Sequence, residues 1–117
     1  MRALFVALAL VGAGTLSSAP AWGKDFTNFG RGSESCATWT ADRKANQALA
    51  DEQWMLGFVS ATGDTVSGYA KKNVNINTDA DGIFGWIDNY CKANPTDDIA
   101  TAGDAFWTKS GTVQFSD

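Results

Sequence analysis

The chain has 117 residues and carries nine Lys/Arg against thirteen Asp/Glu, which gives a formal net charge of −4 at neutral pH. This acidic balance argues against a partner that is a nucleic acid or an anionic membrane. The sequence has no histidine, so it lacks the commonest general base, the commonest zinc ligand and the usual neutral-pH switch.

The first 21 residues predict a secretory signal peptide. Arg2 gives a positive start, and the apolar run that follows is too short to span a bilayer. Small residues then offer a cleavage site near Ala21 or Gly23. The alternative is a buried N-terminal helix, which Pro20 would interrupt. We therefore expect a periplasmic or secreted protein with no stable membrane insertion.

Residues 22–35 predict an irregular N-terminal arm, because Gly, Asn and Ser surround two phenylalanines without helical or strand periodicity. Ordered structure is expected to follow a capping residue, Ser33 or Ser35, that starts a short helix. Cys36 and Trp39 are three residues apart and would share one face of that helix.

The longest helical candidate begins at Asp51, where acidic residues suit the positive end of the helix dipole. This helix is expected to end within residues 69–72. Gly57, Ala61 and Gly63 would keep one side small enough for another helix to approach closely. A break at Gly63 or Gly68 is the alternative.

Residues 73–78 alternate Val and Ile with Asn, which is a strand pattern, but no pairing partner is obvious in the chain. We interpret them as an extended connector. A final helix is expected after Asn94, which would cap it, with Pro95 at its first position. Residues 111–117 predict a frayed tail.

The clearest helical pattern lies between these two segments, where apolar positions recur at the spacing of one buried face. They are Ile83, Trp86, Ile87, Tyr90 and Cys91. Thr78 is expected to cap this helix, with Asp81 completing a capping box.

Together these elements predict an all-α fold, a small domain of three to four helices over residues 36–110. Cys36 and Cys91 are the only cysteines, and in an exported chain of this size we expect them to form one disulfide that closes the domain. A domain of this length has a small core and gains from such a bond. Two buried free thiols are the alternative.

Four residues match the oxygen-ligand spacing of a calcium loop. They are Asn77, Asp79, Asp81 and Asp88. The first has Asn in place of Asp, and the last has Asp in place of the longer Glu. Since the helical face already begins at Ile83, helix capping is the favoured interpretation and a metal site is the alternative.

The sequence shows no catalytic constellation. The acid pairs Asp79/Asp81 and Asp97/Asp98 fall at predicted helix starts, where acids are expected for other reasons. Motifs for a serine nucleophile or for a phosphate-binding loop are missing. We therefore expect a protein that is not an enzyme and has no cofactor.

Counting from Trp22, the chain has thirteen aromatic residues, a high density for so small a domain. Most are expected in the core, together with Ile87: Trp39, Trp54, Phe58, Trp86, Tyr90 and Phe106. A core of this size cannot hold all of them, so four are candidates for an exposed or dimer-buried partner surface. They are Phe26, Phe29, Phe84 and Trp107.

From Cys36 to Trp107 the sequence resembles the HdeA/HdeB-like group of small periplasmic helical proteins. The matching residues are Cys36, Gly57, Phe58, Gly82, Ile83, Cys91 and Pro95. The named members of this group are acid-stress chaperones that are dimeric at neutral pH and expose apolar surface on acidification. The resemblance therefore implies a chaperone whose partners are unfolded clients, and a homodimer.

The chain is also similar to the Rap1a/Tai immunity proteins, periplasmic helical domains that block a type VI secretion amidase. This likeness lies in residues 57–60 and 95–100, although those proteins carry more cysteines. We therefore expect an exported, non-enzymatic protein that acts through protein contacts. An acid-stress chaperone comes first, an immunity or inhibitor protein second, and a calcium-binding protein third.

Overall fold

The computed structural model describes residues 26–117, so the predicted signal peptide and the first part of the predicted arm lie outside the described residues. The described chain forms a 3-10 helix at Gly30–Ser33, α1 at Cys36–Lys44, α2 at Leu49–Ala70, β1 at Asn73–Ile76, α3 at Ala80–Ala93, α4 at Ile99–Lys109 and β2 at Val113–Ser116. None of the described helices is long and apolar enough to cross a membrane.

The two strands form an antiparallel sheet, and this corrects two expectations. Residues 73–76, interpreted as an unpaired connector, pair with residues 113–116, which lie in the predicted frayed tail. Asn73 lies opposite Ser116 and Ile76 opposite Val113. The fold is therefore mostly helical and closed by a disulfide, as predicted, but it is not strictly all-α.

The segment before α4 does not start a helix at Pro95 as predicted. Helix α4 begins at Ile99, and the carboxylate of Asp98 caps it by accepting a hydrogen bond from the Thr101 amide at 2.7 Å. The carbonyls of Pro95 and Asp97 instead accept hydrogen bonds from the first two amides of α1. These amides have no partner within their own helix, so the extended segment satisfies them.

The caps of the other helices agree only in part with the prediction. Ser35 caps α1, as one of the two predicted alternatives. Helix α3 is capped by Asp79 and not by Thr78, and the Asp79 carboxylate accepts a hydrogen bond from the Gly82 amide. Helix α2 begins at Leu49, two residues before the predicted start, and it continues to Ala70 without a break.

The predicted disulfide between Cys36 and Cys91 is present, with the two Cα atoms 4.7 Å apart. It joins the first residue of α1 to the last turn of α3, and the two helices run antiparallel from there. Of the residues expected in the core, Trp39, Ile87 and Phe106 are fully buried. The remaining four are half-buried against the core: Trp54, Phe58, Trp86 and Tyr90.

The close helix approach expected at Gly57 occurs elsewhere. A Cβ atom added at Gly57 would meet nothing within 4 Å. A Cβ atom added at Gly103 in α4 would lie 2.7 Å from the ring of Phe58 and 3.2 Å from the sulfur of Met55. Helix α4 therefore provides the small residue at this contact, and on α2 Gly63 lies close to α4, where an added Cβ atom would be 3.3 Å from the Trp107 ring.

We predict that replacing both cysteines, C36A/C91A, lowers the free energy of unfolding by about 2–4 kcal/mol, because the bond closes a long loop in the unfolded chain. Urea unfolding of the variant and of the parent measures this difference. A reductant should lower the midpoint of the parent only, and an equal effect on both proteins would contradict the prediction.

We also predict opposite effects for alanine at two helical glycines. Gly57→Ala should raise the free energy of unfolding by about 0.5–1 kcal/mol, since it restricts the unfolded chain and meets no neighbour. Gly103→Ala should lower it by about 1–3 kcal/mol, because its methyl group would overlap the Phe58 ring. Thermal unfolding of the two variants tests both, and equal changes would contradict the described packing.

Candidate functional site

A polar cluster that joins three helices is centred on Arg43, and we call it the Arg43 cluster: Arg43, Trp39, Glu52 and Asp88. The Asp88 carboxylate accepts hydrogen bonds from Arg43 Nε at 2.9 Å and from Arg43 Nη2 at 2.8 Å. Arg43 Nη1 donates to Glu52 at 2.7 Å. The indole Nε1 of Trp39 donates to Asp88 at 2.8 Å. One guanidinium group on α1 thus joins α3 and α2.

The Arg43 cluster lies against aromatic rings. The guanidinium carbon is 6.0 Å from the centre of the Trp39 ring and 5.6 Å from that of Phe84, which are cation–π distances. Because both rings belong to the core, the charge of Arg43 lies at the edge of the apolar interior. The side chains of Arg43 and Asp88 are 32% and 37% exposed, so water screens part of their attraction, and the carboxylates compensate a charge that lies beside apolar rings.

The pKa values in this cluster follow from these contacts. Burial of the Asp88 carboxyl disfavours its charge, but the hydrogen bonds from Arg43 and Trp39 outweigh this effect and hold the pKa of Asp88 below its ordinary value. The hydrogen bond to Asp88 raises the pKa of Arg43, and Glu52 adds to the increase. Both groups of the pair are therefore charged at neutral pH.

A second feature is the aromatic arm, residues 26–29. Phe26 is 75% exposed and Phe29 is 79% exposed, so both rings are accessible. The arm is fixed to α2 through Trp54, whose indole Nε1 donates to the Phe29 carbonyl at 3.0 Å. Gly32 packs against the same Trp54 ring. A Cβ atom added at Gly32 would lie 2.0 Å from that ring, so only glycine fits at this position. The backbone of the arm is therefore anchored to α2 at Phe29, while both phenylalanine rings are exposed to solvent.

The four predicted surface residues do not form one patch. Phe26 and Phe29 are exposed, but Phe84 is 7% exposed and belongs to the core, which corrects its assignment. Phe84 lies next to the buried residues Ile83 and Ile87, so the buried face of α3 is wider than the predicted stripe. Trp107 is half-buried, and an added Cβ at Gly63 would lie 3.3 Å from its ring.

Three exposed apolar side chains were not expected from the sequence. They are Leu49, Tyr69 and Phe115. Tyr69 is in the last turn of α2, where the helix extends beyond the core, and Phe115 is on β2, whose pairing the sequence did not reveal. Their apolar character carried no signal of exposure, because the same residue types fill the core.

The structure does not assemble the calcium loop that was the alternative to helix capping for residues 77–88. Asp79 is the cap of α3 and Asp88 lies nine residues further along the same helix, which separates them by roughly 13 Å along its axis. Asp88 is instead bound to Arg43 and Trp39. Among residues 26–117, no group of three or more Cys, Asp or Glu side chains is placed to hold a metal ion. The loop interpretation of these four residues is therefore wrong.

The acid pairs at the helix starts also have structural contacts. Asp98 caps α4, and the Asp97 carboxylate accepts a hydrogen bond from the Tyr90 hydroxyl at 2.6 Å. This bond raises the pKa of Tyr90 to about 12 and ties α3 to the segment before α4. Asp79 caps α3. Three of the four acids thus hold helix ends in place.

A groove of about 490 Å³ lies between α1 and α3 beside the Arg43 cluster. Its walls carry the exposed cations Lys44 and Lys92, and Thr40 and Asn89 complete the lining together with Arg43 and Asp88. The local charge of the groove is positive, in contrast to the acidic balance of the whole chain.

Comparisons of the chain with protein-family models, with curated proteins and with solved structures gave no match.

We predict that Asp88→Asn lowers the free energy of unfolding at pH 7 by about 1 kcal/mol, because a charged hydrogen-bond acceptor is replaced by a neutral one at a partly exposed site. The folded pKa of Asp88 is lowered, so its stabilisation is present above the unfolded pKa of about 3.9 and is lost as pH falls through the folded pKa.

The difference between Asp88→Asn and the parent should therefore shrink below pH 4. Urea unfolding at several pH values measures it. Asp64→Asn is the matched control, since Asp64 is an exposed acid on α2. A difference between Asp88→Asn and the parent that stayed constant down to pH 2 would contradict the assigned role of the carboxylate.

Proposed function

We propose that this chain is an exported, non-enzymatic protein that acts through protein contacts, and that its function is that of an acid-stress chaperone. The observation that carries the proposal is the Arg43 cluster, in which carboxylates from two helices neutralise one guanidinium at the edge of an aromatic core. Acid removes those carboxylate charges and leaves the guanidinium charge in place. Export is supported by the Cys36–Cys91 disulfide, which is typical of an oxidising compartment.

The first step is the loss of the Arg43 contacts. When Asp88 and Glu52 are protonated, Arg43 keeps its charge beside two aromatic rings without a charged acceptor. An unpaired charge in such a place destabilises the contact between the helices that hold it. The link from α1 to α2 through Glu52 then has no ionic contribution.

The second step is repulsion across the whole domain. Counting from Trp22, the chain has eight basic and thirteen acidic residues, so full protonation of the acids converts a negative domain into a strongly positive one. The disulfide still joins α1 to α3 when this happens. Helix α2 has no such bond, and its movement would uncover the apolar residues Met55 and Val59 on its inner face.

Apolar surface of this kind binds unfolded proteins, which expose the same residue types under the same conditions. The partner is therefore an unfolded client and not a folded ligand. A homodimer at neutral pH would cover part of the surface before acidification, and we include it in the proposal. The proposed location is the periplasm or the exterior of the cell.

The second candidate is an immunity or inhibitor protein that binds a toxin in the periplasm. The aromatic arm favours it, because Phe26 and Phe29 are exposed in the folded domain without any need for acid. A partner surface of this type contacts a folded protein at neutral pH.

Client aggregation tests the proposal. The parent should suppress the aggregation of an acid-unfolded client at pH 2–3 and should have little effect at pH 7. Asp88→Asn should move the onset of suppression to higher pH, since it imitates the protonated carboxyl, whereas Asp64→Asn should leave the onset unchanged. Absence of suppression at pH 2–3 would remove the chaperone function.

The same variants separate the two candidates. The double variant F26S/F29S should still suppress aggregation in acid if α2 provides the client surface. Binding of a folded toxin at neutral pH that F26S/F29S abolishes, together with no suppression in acid, would favour the immunity protein.

A further inference from the structure

A second ionic cluster joins the 3-10 helix to α1 and α2, and we call it the Arg31 cluster: Arg31, Asp42 and Asp51. Arg31 Nε donates to one oxygen of Asp51, and Arg31 Nη2 donates to Asp42 at 2.8 Å. Asp51 is 1% exposed, so the cluster contains an almost completely buried carboxyl group. One guanidinium group thus faces two carboxyl groups from two different helices.

The second oxygen of Asp51 is buried and has no hydrogen-bond partner among residues 26–117. A buried acceptor without a donor is costly, particularly on a charged group. Asp42 and Asp51 both bind the Arg31 guanidinium, and the neighbouring Asp51 carboxyl, followed by burial, raises the pKa of Asp42. The missing donor is therefore supplied if Asp42 carries a proton.

We propose that Asp42 and Asp51 bind one proton between them, and that this proton, together with Arg31, holds the 3-10 helix and the aromatic arm on α1 and α2. In this arrangement Asp42 accepts a hydrogen bond from Arg31 with one oxygen and donates its proton to the buried oxygen of Asp51. The buried oxygen of Asp51 then has a donor, and the single positive charge of Arg31 is matched by a single negative charge on the pair.

Few other charged groups of the described chain lie near Asp42 and Asp51. The 3-10 helix contributes Arg31, and Glu34, which follows that helix, lies 4.0 Å from Arg31. From α1 and α2 the neighbouring residues are Arg43 and Glu52, and they bind each other in the Arg43 cluster.

Helix α4 also contacts the 3-10 helix, and its charged residues Asp104 and Lys109 make no ion pair with the Arg31 cluster among residues 26–117. Two carboxyl groups that share one cation within reach of each other do not both ionise easily. The proton on the pair is therefore favoured by its local surroundings.

The proton matters for the aromatic arm because only Gly30 separates Arg31 from the arm in the chain. If Asp42 loses its proton, the two carboxylates repel each other and the buried oxygen of Asp51 loses its donor. The folded pKa of Asp42 is raised, so its stabilisation is present below the unfolded pKa and is lost as pH rises through the folded pKa. The arm is thus held more firmly in acid, in contrast to the Arg43 cluster, and this inference does not depend on the proposed function.

Carbon-13 NMR of the carboxyl groups in the parent protein is the direct test. The Asp42 resonance should titrate with a midpoint above the ordinary aspartate value. The indole Nε1–H signal of Trp54, which donates to the arm at Phe29, should shift with the same midpoint. A midpoint for Asp42 at or below the ordinary value would overturn the proposal.

A pair of variants gives the second test. Asp42→Asn is neutral and keeps both an acceptor for Arg31 and an N–H donor for Asp51, so it should raise the melting temperature at pH values above the Asp42 midpoint and have little effect below it. Asp42→Ala lacks the donor and should lower the melting temperature. The Trp54 indole signal should become independent of pH in Asp42→Asn. An equal decrease in melting temperature for both variants would overturn the proposal.

Discussion

The covalent bond between Cys36 and Cys91 is the constraint on which the rest of the domain depends. It fixes the start of α1 against the end of α3, and the antiparallel arrangement then brings Trp39 and Arg43 of one helix to Asp88 of the other. The same bond places the first two amides of α1 beside residues 95–97. The carbonyls of Pro95 and Asp97 accept hydrogen bonds from these amides. The core and the Arg43 cluster both follow from this one junction.

The two arginine clusters respond to protons in opposite ways, and the difference has a simple electrostatic cause. In the Arg43 cluster the Asp88 carboxylate accepts two hydrogen bonds from the guanidinium and one from Trp39, so the charge of Asp88 is favoured. In the Arg31 cluster two carboxyl groups face each other, and one of them is almost fully buried, so a proton is favoured. The outcome therefore depends on what each carboxyl group contacts, which is hydrogen-bond donors at Asp88 and a second carboxyl group besides Arg31 at Asp42.

The sequence predicted those features that depend on local spacing. The apolar stripe of α3, the Ser35 cap and the cysteine pair are visible in short stretches of chain or in a simple count. The β1–β2 pairing was missed because its two segments lie about forty residues apart and each is only four residues long. The start of α4 was missed because the carbonyls of Pro95 and Asp97 accept hydrogen bonds from the first amides of α1. This contact joins segments far apart in the chain, so no local sequence pattern indicates it. Arg43 shares the face of Cys36 and Trp39 at helical spacing, but the identity of its partners depends on packing between helices.

Strand β2 consists of residues 113–116, and its partner β1 was completed about forty residues earlier. During synthesis or export the N-terminal part of a chain emerges first, so all four helices are available before β2 exists. Strand β1 therefore spends that time with its backbone groups unpaired, beside the end of α2. A chain that lacked residues 113–116 would retain every described helix but leave β1 without a partner strand.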